Sequence, residues 1–317
     1  MAELPASGLL GYSMNMATAR PPLTPNQTSR HILQFDQDEA RPVDIDGQTY
    51  SVPRHIAVSQ NLPGGETFTT FPTGQEAIAN FESNPGLIPR LLHIAGGDSV
   101  LKAITTKCIR PDDQYAFYSL RQPRFSATLS NFNTLFKPDS NSFLSTVRRL
   151  PPFSGQNQSA VAQYQAFFQR FGSHIVTGVE YGSTYQFINW ADRTQPGVND
   201  AWDELVKADY DGIPSRGQFD EKIKETDQYK QYLRLKQHIE GMGGGDQELA
   251  QSILRSPNYQ TFQEWKATGV GQDISPVYFS LVDIWMLMKN SDNIDVVRAA
   301  MDVMAAYEWF VNHGELN

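Results

Sequence analysis

The sequence predicts an α+β protein: a few strongly β-prone segments separated by clusters of short helices. Three observations predict it. Tyr115 to Leu135, Ile175 to Tyr181 and Val277 to Leu281 are rich in aromatic and β-branched residues, the composition of half-buried strands. The stretches 62–113 and 198–240 read as short helices broken by Gly and Pro turns, so the regular strand–helix alternation of a parallel sheet is missing. The chain has 317 residues, 40% of them hydrophobic and 11% aromatic, enough for a sizeable core without disulfides or a structural metal.

In chain order, residues 7–60 are punctuated by Pro21, Pro22, Pro25, Pro42 and Pro53, each pushing its predecessor out of the helical region, with short β pieces such as residues 31–35 between them. Asp46-Gly47 tolerates the positive φ of a primed turn and predicts a hairpin feeding a strand from Gln48 to Val52. Helical stretches are expected from Ala77 to Phe81, Leu87 to Ile94 and Val100 to Ile109, divided by Pro63-Gly64-Gly65, Pro85-Gly86 and Gly96-Gly97-Asp98. Ser142 to Leu150 reads as a helix stopped at Pro151-Pro152. Ser159 to Phe171 repeats Val161, Tyr164, Phe167, Phe168 and Phe171 on one face and ends at Gly172. A strand follows from Ile175 to Tyr181, before Gly182. The window between Trp190 and Met242 holds 8 Lys+Arg and 11 Asp+Glu, about twice the charge density of the whole chain, and reads as surface-lying helices. Asp246 is placed to cap a helix from Gln247 to Arg255, and Asp292 one from Ile294 to Asn312.

Twenty-six Lys+Arg against thirty-five Asp+Glu give a net charge of −9, spread along the chain, which argues against nucleic acid as a partner. One cysteine, Cys108, rules out an internal disulfide, a Cys-rich zinc site and a CxxC pair. No ligand spacing among the six histidines points to a metal, and no cofactor is expected. The GxSxG, HExxH and Walker patterns are missing, so no catalytic residue is assigned and the chain does not read as an enzyme. Ser173 and His174 invite a nucleophile–base reading, but neighbours along a strand point to opposite faces, so their side chains are expected not to meet. No apolar run reaches about 18 residues, as a membrane helix requires. The first ten residues lack a basic, apolar leader, so the expectation is export by a non-standard route followed by membrane association, or retention in the cytoplasm.

One constellation carries more. Tyr164, six residues, then Phe171-Gly172-Ser173-His174-Ile175 resembles the signature of the membrane-attack-complex/perforin (MACPF) family, with Ser173 where the family has Thr and Ile175 where it has an aromatic. Leu9-Leu10-Gly11-Tyr12 with Asn15 resembles the family's opening strand, and Ser142 through Leu150-Pro151 the helix before the signature. Gly244-Gly245-Asp246, Trp265 and Pro276-Val277 leading into Ser280 to Ile284 resemble its closing elements. The resemblance spans about residues 8–290. It implies a single domain over 1–317: a bent four-stranded antiparallel sheet flanked by two clusters of small helices, in the superfamily shared with the cholesterol-dependent cytolysins. In pore-forming members the clusters unravel into β-hairpins, and a ring or arc of subunits closes into a barrel. A closed barrel pairs every backbone group, so it crosses lipid without any apolar helix.

Refolding asks one stretch to be amphipathic both as helix and as strand. In 229–240 the odd positions Tyr229, Leu233, Leu235 and Ile239, with Gln231 and Gln237, form one face, while Lys230, Arg234, Lys236, His238 and Glu240 share the other with Tyr232. Tyr229, Tyr232, Leu233, Lys236 and Ile239 also make a helix stripe. In 88–108, Ile88, Leu92, Ile94, Val100, Ile104 and Cys108 lean apolar, though Arg90, Asp98 and Lys102 share their face. An amphipathic helix alone also produces some alternation. The expected hairpin segments are 62–113 and 191–242, with 292–313 a C-terminal helix and Tyr229, Leu233, Leu235 and Ile239 facing the membrane. Gly243, Gly244 and Gly245 are expected to form a joint, where bulky β-branched residues block ring maturation more than monomer folding. The functional expectation is a pore-forming cytolysin or toxin subunit, a soluble monomer that oligomerises on a bilayer. With no room for a separate targeting domain after the signature-bearing region, a second lipid- or receptor-binding protein is expected to recruit it. The alternative is a non-lytic family member acting in assembly, adhesion or partner binding.

Overall fold

The structure, a computed structural model, describes residues 2–33, 39–137, 142–194, 199–268 and 274–314. The proline-punctuated N-terminal part forms the short strands its sequence predicts: β1 (Ala2–Glu3), β2 (Tyr12–Met14), β3 (Thr28–His31), β4 (Ala40–Ile45), β5 (Gln48–Pro53) and β6 (Ile56–Gln60). Asp46 and Gly47 have φ of 50° and 81°, so the primed turn closes β4 on β5 with Ile45 opposite Gln48. The β piece expected at 31–35 is shifted: β3 ends at His31, and Gln34 and Phe35 lie outside the described residues.

The window from 62 opens with a strand, β7 (Gly65–Phe71), where helices were expected. Thr67, Phe68, Thr69, Thr70 and Phe71 are all β-formers, and that local preference wins. The expected helices follow: α1 (Gly74–Ser83), α2 (Leu87–Leu92) and, after the two-residue β8 (Ile94–Ala95), α3 (Asp98–Lys107). Thr73 caps α1, its hydroxyl accepting from the Glu76 N–H at 3.0 Å. Next come β9 (Asp113–Leu129), α4 (Phe132–Leu135), α5 (Ser142–Val147) and α6 (Gln158–Phe171). Asn157 caps α6, whose buried face is Ala160, Tyr164, Phe167, Phe168 and Phe171, and Gly172 ends it at φ 66°.

β10 (His174–Asp192) is much longer than its sequence predicts, because Gly182 bends the strand instead of ending it. A Cβ on Gly182 would lie 2.1 Å from the Gln122 carbonyl oxygen, so only glycine permits this approach of β9 and β10. The register between the two strands slips at that step, next to Pro123. The charged window then holds α7 (Trp202–Asp209) and α8 (Asp227–Leu235) but returns to the sheet early, as β11 (Gln237–Gly243). The helix expected through 240 therefore stops at Leu235, since pairing with β10 satisfies the backbone from Gln237 onward. Asp246 caps α9 (Gln247–Arg255) as expected, accepting from the N–H groups of Glu248 and Leu249. α10 (Tyr259–Thr268), β12 (Ser275–Asp283), α11 (Ile284–Lys289) and α12 (Ile294–His313) complete the chain. The cap of α12 is Asn293, not Asp292; its Oδ1 accepts from the Asp295 N–H at 3.0 Å.

The central sheet is antiparallel across β7, β9, β10 and β11, with β6 continuing the β7 side and β12 the β11 side beyond the bend. One end of it matters most. Phe71 pairs with Tyr115, Asp113 with Asp192, and Trp190 with Gln237, so β7, β9, β10 and β11 all terminate at a common edge. The helices α1 to α3 are inserted between β7 and β9, and α7 and α8 between β10 and β11. Alternation along the strands assigns them to opposite faces. Tyr115 and Phe117 join the core containing α1, α2, α3, α6 and α12, while Ala116, Tyr118 and Leu120 join that of α7 to α10.

Candidate functional site

Each helix cluster sits on the sheet through an apolar contact with polar pins set into it. Under the first cluster, Phe71 and Phe81 meet Phe117 edge to face at 5.9 and 5.7 Å between ring centroids and tilt against each other at 6.0 Å. Beside them the sheet offers Ser119, Thr184 and Gln186. The Ser119 hydroxyl donates to the Arg90 carbonyl at 2.8 Å and also meets His93 Nε2, while Thr184 Oγ1 lies 3.2 Å from His93 Nδ1. Gln186 donates its amide N–H to the Leu91 carbonyl. Burial first, then the Arg121 charge, lower the His93 pKa to about 3, so the ring is a neutral hydrogen-bonding link. His93 has φ 56° and closes α2, so the pins hold the end of that helix to the sheet.

The second cluster is held in the same manner on the other face. Tyr210 stacks on Phe187 at 3.8 Å and Trp202 meets Tyr232 at 5.4 Å. Asn189, fully buried on β10, donates to Tyr232 Oη at 2.9 Å and accepts from Tyr210 Oη at 3.2 Å. Tyr232 donates onward to Asp209 at 2.9 Å, which is ion-paired with Lys236. Midway along β11, Glu240 accepts from Tyr185 Oη at 2.6 Å. Burial pushes the Glu240 carboxyl up to about 7; the Tyr185 hydrogen bond and Lys236 oppose the rise and Asp209 adds to it. Tyr185, Tyr210 and Tyr232 are pushed well above the usual range by burial and by these carboxylates, so they remain O–H donors. The sheet beneath both clusters is thus studded with buried Ser, Gln and Asn, a contact water can replace on separation.

The five signature residues come together at the junction of α6 and β10. Tyr164 donates to the Pro151 carbonyl at 2.9 Å, and Phe171 packs edge to face on Phe143 at 5.0 Å. A Cβ on Gly172 would lie 2.8 Å from Ser13 Cβ, so glycine lets β2 cross here. Ser173 and His174 do meet, contrary to the sequence expectation: Ser173 Oγ is 2.8 Å from His174 Nδ1. Ser173 lies in a bend before β10 begins, so the alternation rule does not reach it. Both side chains are fully buried. Ser173 Oγ also accepts from the Met16 N–H at 2.9 Å, and His174 Nε2 lies 3.0 Å from Ser99 Oγ and from Asp283 Oδ1. Burial pushes the Asp283 carboxyl up, but His174, Ser99 and Lys289 more than offset this and leave it below its ordinary value. Trp285 and Tyr307 flank the imidazole at 5.6 and 5.3 Å. The pair therefore joins the N-terminal segment, α3, β10, β12 and α12. Nothing in the sequence pointed to Ser99 or Tyr307, because they lie far from the signature along the chain. The polar pins left one signal, single Ser, Gln or Asn residues inside aromatic strands.

The glycines lie where β11 leaves the sheet, close to the bend at Gly182: Gly243 pairs with Thr184, and Gly244 and Gly245 have φ of 69° and 68°. A Cβ on Gly245 would sit 2.8 Å from Trp265 Nε1, which donates to the Gly244 carbonyl at 3.2 Å. Substitution here therefore also strains the monomer. The four apolar positions of 229–240 are divided. Tyr229 and Leu235 are half-buried on α8, Leu233 is 43% exposed on it, and Ile239 is 37% exposed on β11 opposite Ile188. The helix stripe is anchored by Tyr232, fully buried; Leu233 is off it and Ile239 is not helical. Among the described residues no helix is long and apolar enough to cross a membrane, and no group of His, Cys, Asp and Glu could hold a metal ion.

The profile of the MAC/Perforin domain matches residues 110–313, more than half of the chain. No curated protein matches the sequence. Among solved structures, GNIP1Aa from Chromobacterium piscinae superposes with a TM-score of 0.57 at 12% identity, over 96% of this chain and 56% of that one. A putative cell invasion protein with a MAC/Perforin domain from Bacteroides thetaiotaomicron gives 0.48 at 8% identity, over 93% and 59%. A non-hemolytic pneumolysin from Streptococcus pneumoniae gives 0.27 at 11%, over 70% and 40%. The chain thus spans little more than half the length of the first two. The domain profile covers more than half of the sequence and the superposition on GNIP1Aa shows a shared fold, and the chain belongs to the membrane-attack-complex/perforin family.

Proposed function

We propose that the chain is a pore-forming subunit that assembles side by side on a target membrane and inserts its two helix clusters as β-hairpins. The observation that carries this reading is the shared edge. Each cluster interrupts a pair of antiparallel strands at the same end of the sheet, so straightening it lengthens a hairpin already in register. Each insert is about 40 residues, or about 20 per strand; at about 3.4 Å per residue that reaches about 65 Å, twice the roughly 30 Å apolar core of a bilayer. The polar pins lower the cost of leaving the sheet, and a chain with one cysteine has no internal disulfide to prevent it.

The sheet's edges support the assembly. Among the described residues β7 pairs only with β9, and β11 only with β10; both are seven residues long. The two run antiparallel to each other, so β11 of one copy against β7 of the next continues the alternation, and a repeated head-to-tail joint closes a ring. On refolding, Tyr229, Leu233, Leu235 and Ile239 face lipid and the charged alternate positions face the lumen, as charge at mid-bilayer costs about 2–4 kcal/mol per Lys or Arg. Gly243 to Gly245 form the joint that lets α9 and α10 swing clear. A separate lipid- or receptor-binding protein delivers the subunit, since the net charge of −9 opposes capture by anionic lipid. The test is dye release from liposomes, with and without candidate partners, alongside electron microscopy. Rings or arcs with release support the proposal; arcs without release move the chain to the non-lytic class, which assembles without perforating.

A further inference from the structure

At the root of the first cluster, against the sheet end, lies a cavity of about 170 Å³, and its chemistry is two-sided. Arg20, Lys107 and Arg110 line it, and among the described residues none of the three forms an ion pair. Arg20 reaches only the backbone carbonyls of Thr18 and Ala19, at 3.3 and 3.0 Å. Burial and the Arg20 charge together lower the Lys107 pKa, which places two like charges close enough to repel. In a chain of net charge −9, three cations and no carboxylate line the cavity, with Arg110 also acting on the Asp113 carboxylate beside it. The rest of the lining is apolar: Tyr115 and Ile188 are buried below, with Trp190 and the 37%-exposed Ile239 beside them.

We infer that this cavity binds an amphiphilic anion, a carboxylate or phosphate carried on a short alkyl or aryl group. The anion sits among Arg20, Lys107 and Arg110 and relieves the repulsion between the first two, while the apolar group lies against Tyr115, Ile188 and Trp190. A cavity of about 150 Å³ encloses a benzene ring, so the volume suits a small apolar group, with a longer chain leaving through the mouth beside Ile239. The site joins the N-terminal segment to the C-terminal end of α3 and to β9, β10 and β11 on the face that the first cluster covers, so it exists only while that cluster is docked. Cys108, the chain's one cysteine, lines the same cavity, and burial raises its thiol pKa to about 11. It serves as a reporter, not as a ligand group.

The experiment uses the full chain and octanoate as the probe, read by calorimetry and by the rate at which neutral iodoacetamide alkylates Cys108 at pH 8.5. Octanoate is expected to give saturable heat and to slow alkylation at least fivefold, while octanol, octylammonium and inorganic phosphate at equal concentration do not. Arg20→Gln and Arg110→Gln, both exposed and therefore tolerant, each weaken octanoate binding at least fivefold; Ile239→Glu, which sets a negative charge at the mouth, does the same. Vesicles of zwitterionic lipid with and without added oleate distinguish a bilayer source from a free acid: protection by oleate vesicles assigns the lipid, protection by octanoate alone the soluble acid. Protection by octanol or phosphate equal to that by octanoate overturns the inference, and so does octanoate binding unchanged in both arginine variants.

Discussion

Replacing Glu240 by Gln strengthens the docked state at alkaline pH. Glu240 lies midway along β11, opposite Phe187 of β10, accepts from Tyr185 Oη at 2.6 Å, and has its carboxyl pushed from the ordinary 4.5 to about 7, by burial above all. A folded pKa above the unfolded one means that the folded chain holds a proton the unfolded chain has released between pH 4.5 and about 7. The contribution is therefore fully present below pH 4.5 and lost as pH rises through 7. The full displacement corresponds to about 3 kcal/mol. Gln keeps an acceptor for Tyr185 and carries no charge, so Glu240→Gln is predicted to gain about 1–3 kcal/mol at pH 8.5 and nothing beyond a few tenths at pH 4.5. Urea denaturation followed by near-ultraviolet circular dichroism at both pH values measures the difference. A variant equally or less stable than the parent at pH 8.5 refutes the reasoning, because burial would then not be what raises this carboxyl.

Three other outcomes follow from the same geometry. Tyr232→Phe leaves Asn189 Nδ2 and Asp209 each short of one partner and should cost about 1–3 kcal/mol, with faster hydrogen exchange confined to α7 and α8. Gly245→Val meets Trp265 Nε1 at 2.8 Å and a backbone at φ 68°; a monomer destabilised by about 2 kcal/mol or more is expected in thermal unfolding, and an unchanged midpoint contradicts it. Ser173→Ala strips the Met16 N–H and His174 Nδ1 of a partner and should cost about 1–3 kcal/mol, loosening residues 13–16 in hydrogen exchange while α8 stays protected.

Much of the architecture was legible in the sequence where local chemistry and tertiary demand agree. The Asp46-Gly47 turn, the α6 face ending at Gly172 and the Asp246 cap are all local, and they stand in the structure as read, except that Ala160 is buried on that face where Val161 is only half-buried. Misreadings occurred where pairing overrides local signals. Gly182 looked like a stop, but its lack of a Cβ serves the close approach of Gln122 from a strand some sixty residues away, which no single stretch reveals. Residues 237–240 carried a helix pattern, yet β10 offers them a ladder. The residues from Tyr164 to His174 lie together because their spacing is itself local, whereas Ser99 and Tyr307 reach His174 only through the packing of α3 and α12. The proposal that Tyr229, Leu233, Leu235 and Ile239 face a membrane requires a second, extended pattern; in this structure they lie on α8 and β11.

That second pattern is the central claim, and a scan of residues 229–240 tests it most directly. Single cysteines are placed one at a time in a Cys108→Ala background, labelled with a polarity-sensitive dye, and followed as the protein meets liposomes. The account predicts a blue shift at Tyr229, Leu233, Leu235 and Ile239 and none at Lys230, Arg234 and Lys236, a period of two in place of the helical period of solution. Retention of the helical pattern on the membrane, with position 232 still shielded and 233 still in water, contradicts it.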